Sequence, residues 1–228
     1  MTKKKIIIGV IFIVVIILVS ILAYIYSQEK HSLEAINELL SSPKKSSNIY
    51  LTYETKQEGE NTVVDVYMKE NFYYIVSKNA DSSEIKNEAF YNPETEELVY
   101  VQNYEPKSII TISQSEQDMY NSYFNNESYF SSSHSSEEYE YLGKEEVNGK
   151  QCLKVCFTNN ATEKIYYYID LEDNRIIKEE IYDINENGEW DKKIEGTYSY
   201  SYDIVKDTDI HKFDSSSYPN YIVTEIQK

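Results

Sequence analysis

Few residues in this 228-residue chain have the type and spacing to do chemistry. Cys152 and Cys156 stand four apart, which matches neither a redox C-x-x-C pair nor a metal knuckle. In a strand, four steps cover roughly 13 Å, beyond the roughly 4.4–6.8 Å that separates the Cα atoms of a disulfide. Two free thiols are therefore expected, on one strand face with Lys154, while Leu153, Val155 and Phe157 take the other. His31, His134 and His211 are scattered, without a second ligand at a zinc-like spacing. His134 lies in a serine run that lacks the Gly-x-Ser-x-Gly turn of an activated nucleophile. The stretch from Asp183 to Asp191 copies the first nine positions of a calcium loop, but Ile194 stands where the bidentate Glu belongs, so a hairpin loop is expected. No metal, cofactor or catalytic constellation emerges, and an enzyme is disfavoured.

The aromatic residues carry more information. There are 24 Tyr against 7 Phe and 1 Trp. Tyr198, Tyr200 and Tyr202 alternate with small or polar residues, which places three phenol rings on one face of one strand. Tyr166 and Tyr168 form a similar pair. In the polar stretch from 114 to 138, Met119, Tyr120, Tyr123 and Phe124 recur at helical spacing, with Tyr129, Phe130 and a Ser-rich loop beyond. Tyrosine combines an apolar ring with a hydrogen-bonding tip, so Met119, Tyr120, Tyr123, Phe124, Tyr198, Tyr200 and Tyr202 are the candidate ligand-binding set. Plain cross-strand packing is the competing account of the strand tyrosines.

These side chains need a sheet and a helix to hold them. Ser32 followed by LEAINELL predicts a short capped amphipathic helix. From Asn48 the apolar period becomes two, giving six strand-like runs before residue 114 and five from EYEYLGKEEV onward, with the tail YPNYIVTEIQK as one more. Asn148-Gly149, Asp173-Asn174 and Asn187-Gly188 read as hairpin turns, and short gaps imply antiparallel neighbours. The predicted fold is mainly β: a curved antiparallel sheet, a half-barrel, with about two helices packed on one face.

Residues 6–26 are uncharged and apolar, long enough at about 1.5 Å per residue to span a bilayer. Lys3, Lys4 and Lys5 precede them, so the positive-inside rule keeps the N-terminus cytoplasmic. The alternative, a cleaved signal peptide, requires a shorter core and a small-x-small exit that Ile21-Leu22-Ala23 and Ile25-Tyr26-Ser27 lack. The expected organisation is a cytoplasmic tail (1–5), a transmembrane anchor (6–27) and an extracytoplasmic domain (28–228), secreted if residues 1–27 are removed. Without residues 1–27 the chain holds 19 basic and 39 acidic residues, a net charge of −20. Such a surface excludes nucleic acid as a partner.

The strand meander, the hairpin FYNPETEELVYV and the stretch YLGKEEVNGKQCLKVCFTNNATEKIYYYIDLEDNRIIKEEIYD resemble bacterial envelope proteins of the LolA-like superfamily. The shared pattern is carried by Gly143, Val147, Gly149, Ile169, Asp170, Ile177 and Lys178, within a resemblance over residues 30–213. The resemblance implies a half-barrel whose apolar face is covered by helices and receives acyl chains or another hydrophobic partner. Its best-known members are soluble or lipid-anchored carriers, a departure from the transmembrane anchor expected here. The expected function is non-catalytic binding of lipid or a lipidated or hydrophobic polypeptide. The alternative is an envelope sensor or interaction module that binds another surface protein through a sheet edge or its acidic face.

Overall fold

A computed structural model of the chain describes residues 43–57, 59–124 and 139–226. The predicted span over 6–26, the predicted helix after Ser32, and Tyr129, Phe130 and His134 lie outside the described residues. Among the described residues, no helix is long and apolar enough to cross a membrane.

Twelve strands form one curved sheet. They are β1 (Asn48–Gln57), β2 (Glu60–Lys69), β3 (Phe72–Asn79), β4 (Ile85–Asn92), β5 (Glu97–Gln102), β6 (Ser108–Ser113), β7 (Tyr139–Val147), β8 (Lys150–Asn160), β9 (Glu163–Asp170), β10 (Arg175–Ile184), β11 (Trp190–Tyr202) and β12 (Ile222–Ile226). One α-helix, α1 (Glu116–Phe124), follows β6. The order across the sheet is β12-β6-β5-β4-β3-β2-β1-β11-β10-β9-β8-β7, two antiparallel meanders joined where β1 pairs with β11. Asn148 and Gly149 both take positive φ (52° and 79°), as the tight hairpin predicted between β7 and β8 requires.

The expectation of an entirely antiparallel sheet needs one correction, because β12 runs parallel to β6. A parallel return needs a long connection, and residues 203–221 supply it as a strap across the outer face. Asn48 starts the strap by pairing its side-chain amide with both backbone groups of Val205, at 2.9 Å each. Phe213, Tyr218 and Tyr221 of the strap then pack on an outer-face core around Tyr74, Phe90 and Val101. Tyr218 and Tyr74 both donate to the carboxylate of Glu88.

Alternation sorts the strands between two faces, as predicted for residues 152–157. Leu153, Val155 and Phe157 join the large inner-face core, whereas Cys152 packs on the outer face with Tyr168 and Ile177. Both cysteines are free and buried, and burial pushes their thiols up from the ordinary value. The predicted calcium-like stretch is the β10–β11 hairpin, where the Asn185 side chain accepts from the amides of Asn187 and Glu189.

α1 lies on the inner face and contributes Met119 and Phe124, each 1% exposed, to that core. Ser115 caps its first turn by accepting from the Asp118 amide, and Glu116 and Asp118 complement the positive helix end. Its C-terminal end is held by Arg175, the chain's single arginine, which is completely buried. The guanidinium donates to the Phe124 carbonyl (2.6 Å), to the Lys44 carbonyl and to the Tyr202 hydroxyl (3.1 Å), with the Tyr200 ring 4.9 Å away. Removing it strands the buried Phe124 carbonyl, at about 1–3 kcal/mol, and frees the part-buried Lys44 carbonyl. Arg175→Ala is expected to lose about 3 kcal/mol in denaturant unfolding, and Arg175→Lys to recover less than half, because an ammonium lacks the planar fork. Unchanged stability in Arg175→Ala would show that the clamp is dispensable.

Candidate functional site

Strand register arranges the inner face between β1 and β5 into three rows. One row runs through Met68, Tyr73, Tyr91 and Leu98, and Tyr73 of this row packs beside Phe124 of α1. The middle row is Leu51, Val66, Ile75, Ala89 and Tyr100. The third begins with Tyr198, Tyr53 and Val64 and turns polar at Ser77 and Asn87. The middle and third rows floor a cavity of about 300 Å³, with Ser122 of α1 on its wall. That volume is at the small end of the range for ligand pockets, roughly 300–1,000 Å³. Glu88 borders the cavity but turns its carboxylate to Tyr74 and Tyr218 on the outer face.

A buried carboxylate stands behind the tyrosine end. Glu179 of β10 is 8% exposed and accepts from the Tyr53 hydroxyl at 2.5 Å. Tyr53 and Tyr198 stack at 4.3 Å. Gly196 makes this arrangement possible: a Cβ there would sit 2.8 Å from the Tyr53 ring and 2.9 Å from Glu179. Burial raises the Glu179 carboxyl above its ordinary range, against the opposing effect of hydrogen bonds from Tyr53 and Tyr198.

Under α1 lies a second polar feature. The hydroxyls of Tyr73, Tyr91 and Tyr120 are buried and, among the described residues, have no hydrogen-bond partner. Tyr73 feels Tyr120, Glu116 and Tyr91 as its electrostatic neighbours, so the three phenols gather near the N-terminal end of the helix.

The seven residues singled out in the sequence do not form one surface. Met119 and Phe124 are core, and Tyr120 packs partly buried beside Phe124. Tyr123 belongs to α1, but its side chain lies outside the described ones. Tyr198 lines the cavity, whereas Tyr200 and Tyr202 share its face but gather around Arg175. Tyr166 and Tyr168 lie on the outer face, beneath Lys154. Sequence reasoning missed Arg175, Glu179 and Asn87. The single arginine was a visible signal; a Glu or Asn in so acidic and Asn-rich a chain was not.

No family model and no curated protein matches the chain. Among solved structures it is similar to an uncharacterised conserved protein from Thermus thermophilus, at TM-score 0.50 and 12% identity over 86% of this chain and 98% of that one. It is also similar to the MucA/MucB complex structure of Pseudomonas aeruginosa (TM-score 0.46, 9% identity, 78% of this chain and 60% of that one). A third likeness is to a LolA superfamily protein from Nitrosomonas europaea (TM-score 0.31, 12% identity, 78% and 97%). Likeness at such identities is one of fold alone.

The buried Glu179 has a pH signature. Because its carboxyl is raised in the folded state, its favourable contribution is complete below the ordinary carboxylate range and is lost as pH climbs through the raised value. At pH 7 Glu179→Gln is therefore expected to melt about 2–4 °C higher than the parent, the shift that about 1 kcal/mol produces in a domain of this size. The gap should close as pH falls toward about 4. Thermal unfolding across pH measures this, and a variant that melts lower at pH 7 would contradict it.

Proposed function

We propose that this chain is a membrane-anchored, extracytoplasmic binding protein for a lipid or a lipidated or hydrophobic polypeptide, and that it performs no catalysis. The cavity between the inner face and α1 carries this reading. Its middle row is aliphatic and aromatic, and each CH₂ of an apolar chain buried on such a floor contributes about 0.8 kcal/mol. Glu88, the carboxylate among the described lining residues, is engaged on the other face, which leaves the polar wall of Ser77, Asn87 and Ser122 without a general base among the described residues.

α1 serves as the lid in this reading. Arg175 holds its C-terminal end through the Phe124 carbonyl, whereas its N-terminal end covers the hydroxyls of Tyr73, Tyr91 and Tyr120. Each orphaned hydroxyl opposes closure by about 1–3 kcal/mol, and opening returns it to water. Segments that open come from the low-stability end of a structure.

A second reading, an interaction module, is favoured by the sheet edges. β7 is guarded by a bulge after Tyr141 and by Glu140, Lys144, Glu145 and Glu146. β12 begins with Ile222 and Val223, 59% and 65% exposed, and runs without bulge or charge to Thr224. Such an edge can accept a partner strand.

Lipid extraction and mass spectrometry of purified residues 28–228 separate the two readings. Lipid in stoichiometric amount supports the first, and a lipid-free protein that captures one strand-donating partner supports the second. Replacing Tyr123 and Phe124 together by Ala is expected to weaken hydrophobic-ligand binding about tenfold and to leave the sheet's circular dichroism intact. Hydrogen exchange of residues 116–124 should slow on ligand addition; exchange as slow as the strands' with and without ligand would make α1 fixed core. A reporter active only outside the membrane, fused after Lys228, is expected to work, and activity from a cytoplasmic reporter alone would overturn the proposed orientation.

A further inference from the structure

The polar wall of the cavity holds one buried acceptor that lacks a donor. Asn87 Oδ1 is buried at the cavity and, among the described residues, has no hydrogen-bond partner. Asn87 faces Ser77 in register across β3 and β4. Its other register neighbour, Gln102, cannot serve it, because the Gln102 amide donates to the carbonyls of Tyr104 and Pro106. Ser122, on the opposite wall, gives its proton to the Asp118 carbonyl at 2.8 Å, which leaves its oxygen only an acceptor. Asn87 Oδ1 thus faces an apolar trough as an acceptor, and a buried acceptor without a donor is unfavourable.

A carboxylate only accepts hydrogen bonds, so it would meet Asn87 Oδ1 with no proton to offer. A plain hydrocarbon would leave Asn87 Oδ1 as it is. A hydroxyl carries the missing proton. The trough is also narrow: about 300 Å³ above a row five strands wide, where strands are about 4.8 Å apart. We propose that the cavity takes a single aliphatic chain bearing a neutral hydroxyl head, and that Asn87 is the residue that selects this head over a carboxylate. This rests on the reading of the cavity as a ligand site and adds the class of ligand.

The methyl group of Ala89, in the cavity floor between Ile75 and Tyr100, reports occupancy. Full-length protein in lipid nanodiscs, with methyl-labelled alanine, would be titrated with decanol, decanoate and decane at neutral pH. Decanol is expected to saturate the Ala89 shift at about tenfold lower concentration than either of the others, the effect of one hydrogen bond to a buried acceptor. Asn87→Leu should erase that preference by weakening decanol about tenfold without weakening decane. Because Asn87 Oδ1 has no hydrogen-bond partner among the described residues, the same variant should melt no lower than the parent. A lower melting temperature with the preference intact would make Asn87 a structural residue and overturn the proposal. Decanoate binding as tightly as decanol would overturn it as well, leaving the cavity a ligand site of other specificity. If none of the three moves the Ala89 resonance, the cavity is not a ligand site, and the proposed function fails with the inference.

Discussion

A single buried cation organises this domain. Arg175 opens β10 and reaches the carbonyl that ends α1, the carbonyl of Lys44 just before β1, and the hydroxyl of Tyr202 at the end of β11. Four parts of the chain, far apart in sequence, meet at one planar fork. A guanidinium suits this position because it offers five donors in a fixed geometry and is less strongly hydrated than an ammonium. Its charge also lies against the negative end of α1, which makes the hydrogen bond to Phe124 stronger than a neutral one. Lys44 reinforces the junction by pairing its side chain with Asp173 at 3.0 Å and its amide with the Asp173 carbonyl.

With that junction in place, the sheet can leave part of its inner face open. α1 packs on Tyr73 and reaches the rows that end at Asn87 and Tyr100 with Ser122, which walls the cavity. The outer face is treated differently. There the strap closes one half with Phe213 and Tyr218, and a lattice of lysines and glutamates over Tyr168 closes the other, as in the pairing of Lys178 with Glu180 at 2.8 Å. Tyrosine suits both faces because its ring packs and its hydroxyl answers a carboxylate. Tyr50, Tyr67 and Tyr74 stack across three strands on the outer side, and Tyr50 and Tyr74 bond Asp65 and Glu88 there.

The inner face departs from this economy at Tyr73, Tyr91, Tyr120 and Asn87, whose buried polar atoms lack partners among the described residues. Such atoms work against stability, and natural proteins keep them where they serve binding or motion. Their concentration under one helix and along one cavity wall links the proposed lid and the proposed ligand site to a single physical cause: buried hydrogen bonds left unmade.

The sequence by itself determined the strands, their faces and most of their turns. Alternation placed Leu153, Val155 and Phe157 opposite Cys152, and Asn148-Gly149 set a hairpin, because period and turn chemistry are local properties. It also marked α1 through Met119 and Phe124. Tertiary structure alone decided the rest. The parallel return of β12 depends on where the strap crosses the outer face. The division of Tyr198 from Tyr200 and Tyr202 depends on an arginine in another strand. Asn87 and Glu179 gained their importance only when register set them beside Ser77, Tyr53 and a glycine without a side chain to displace them. Burial and hydrogen-bond partnership are long-range outcomes of packing, so no spacing along the chain could announce them.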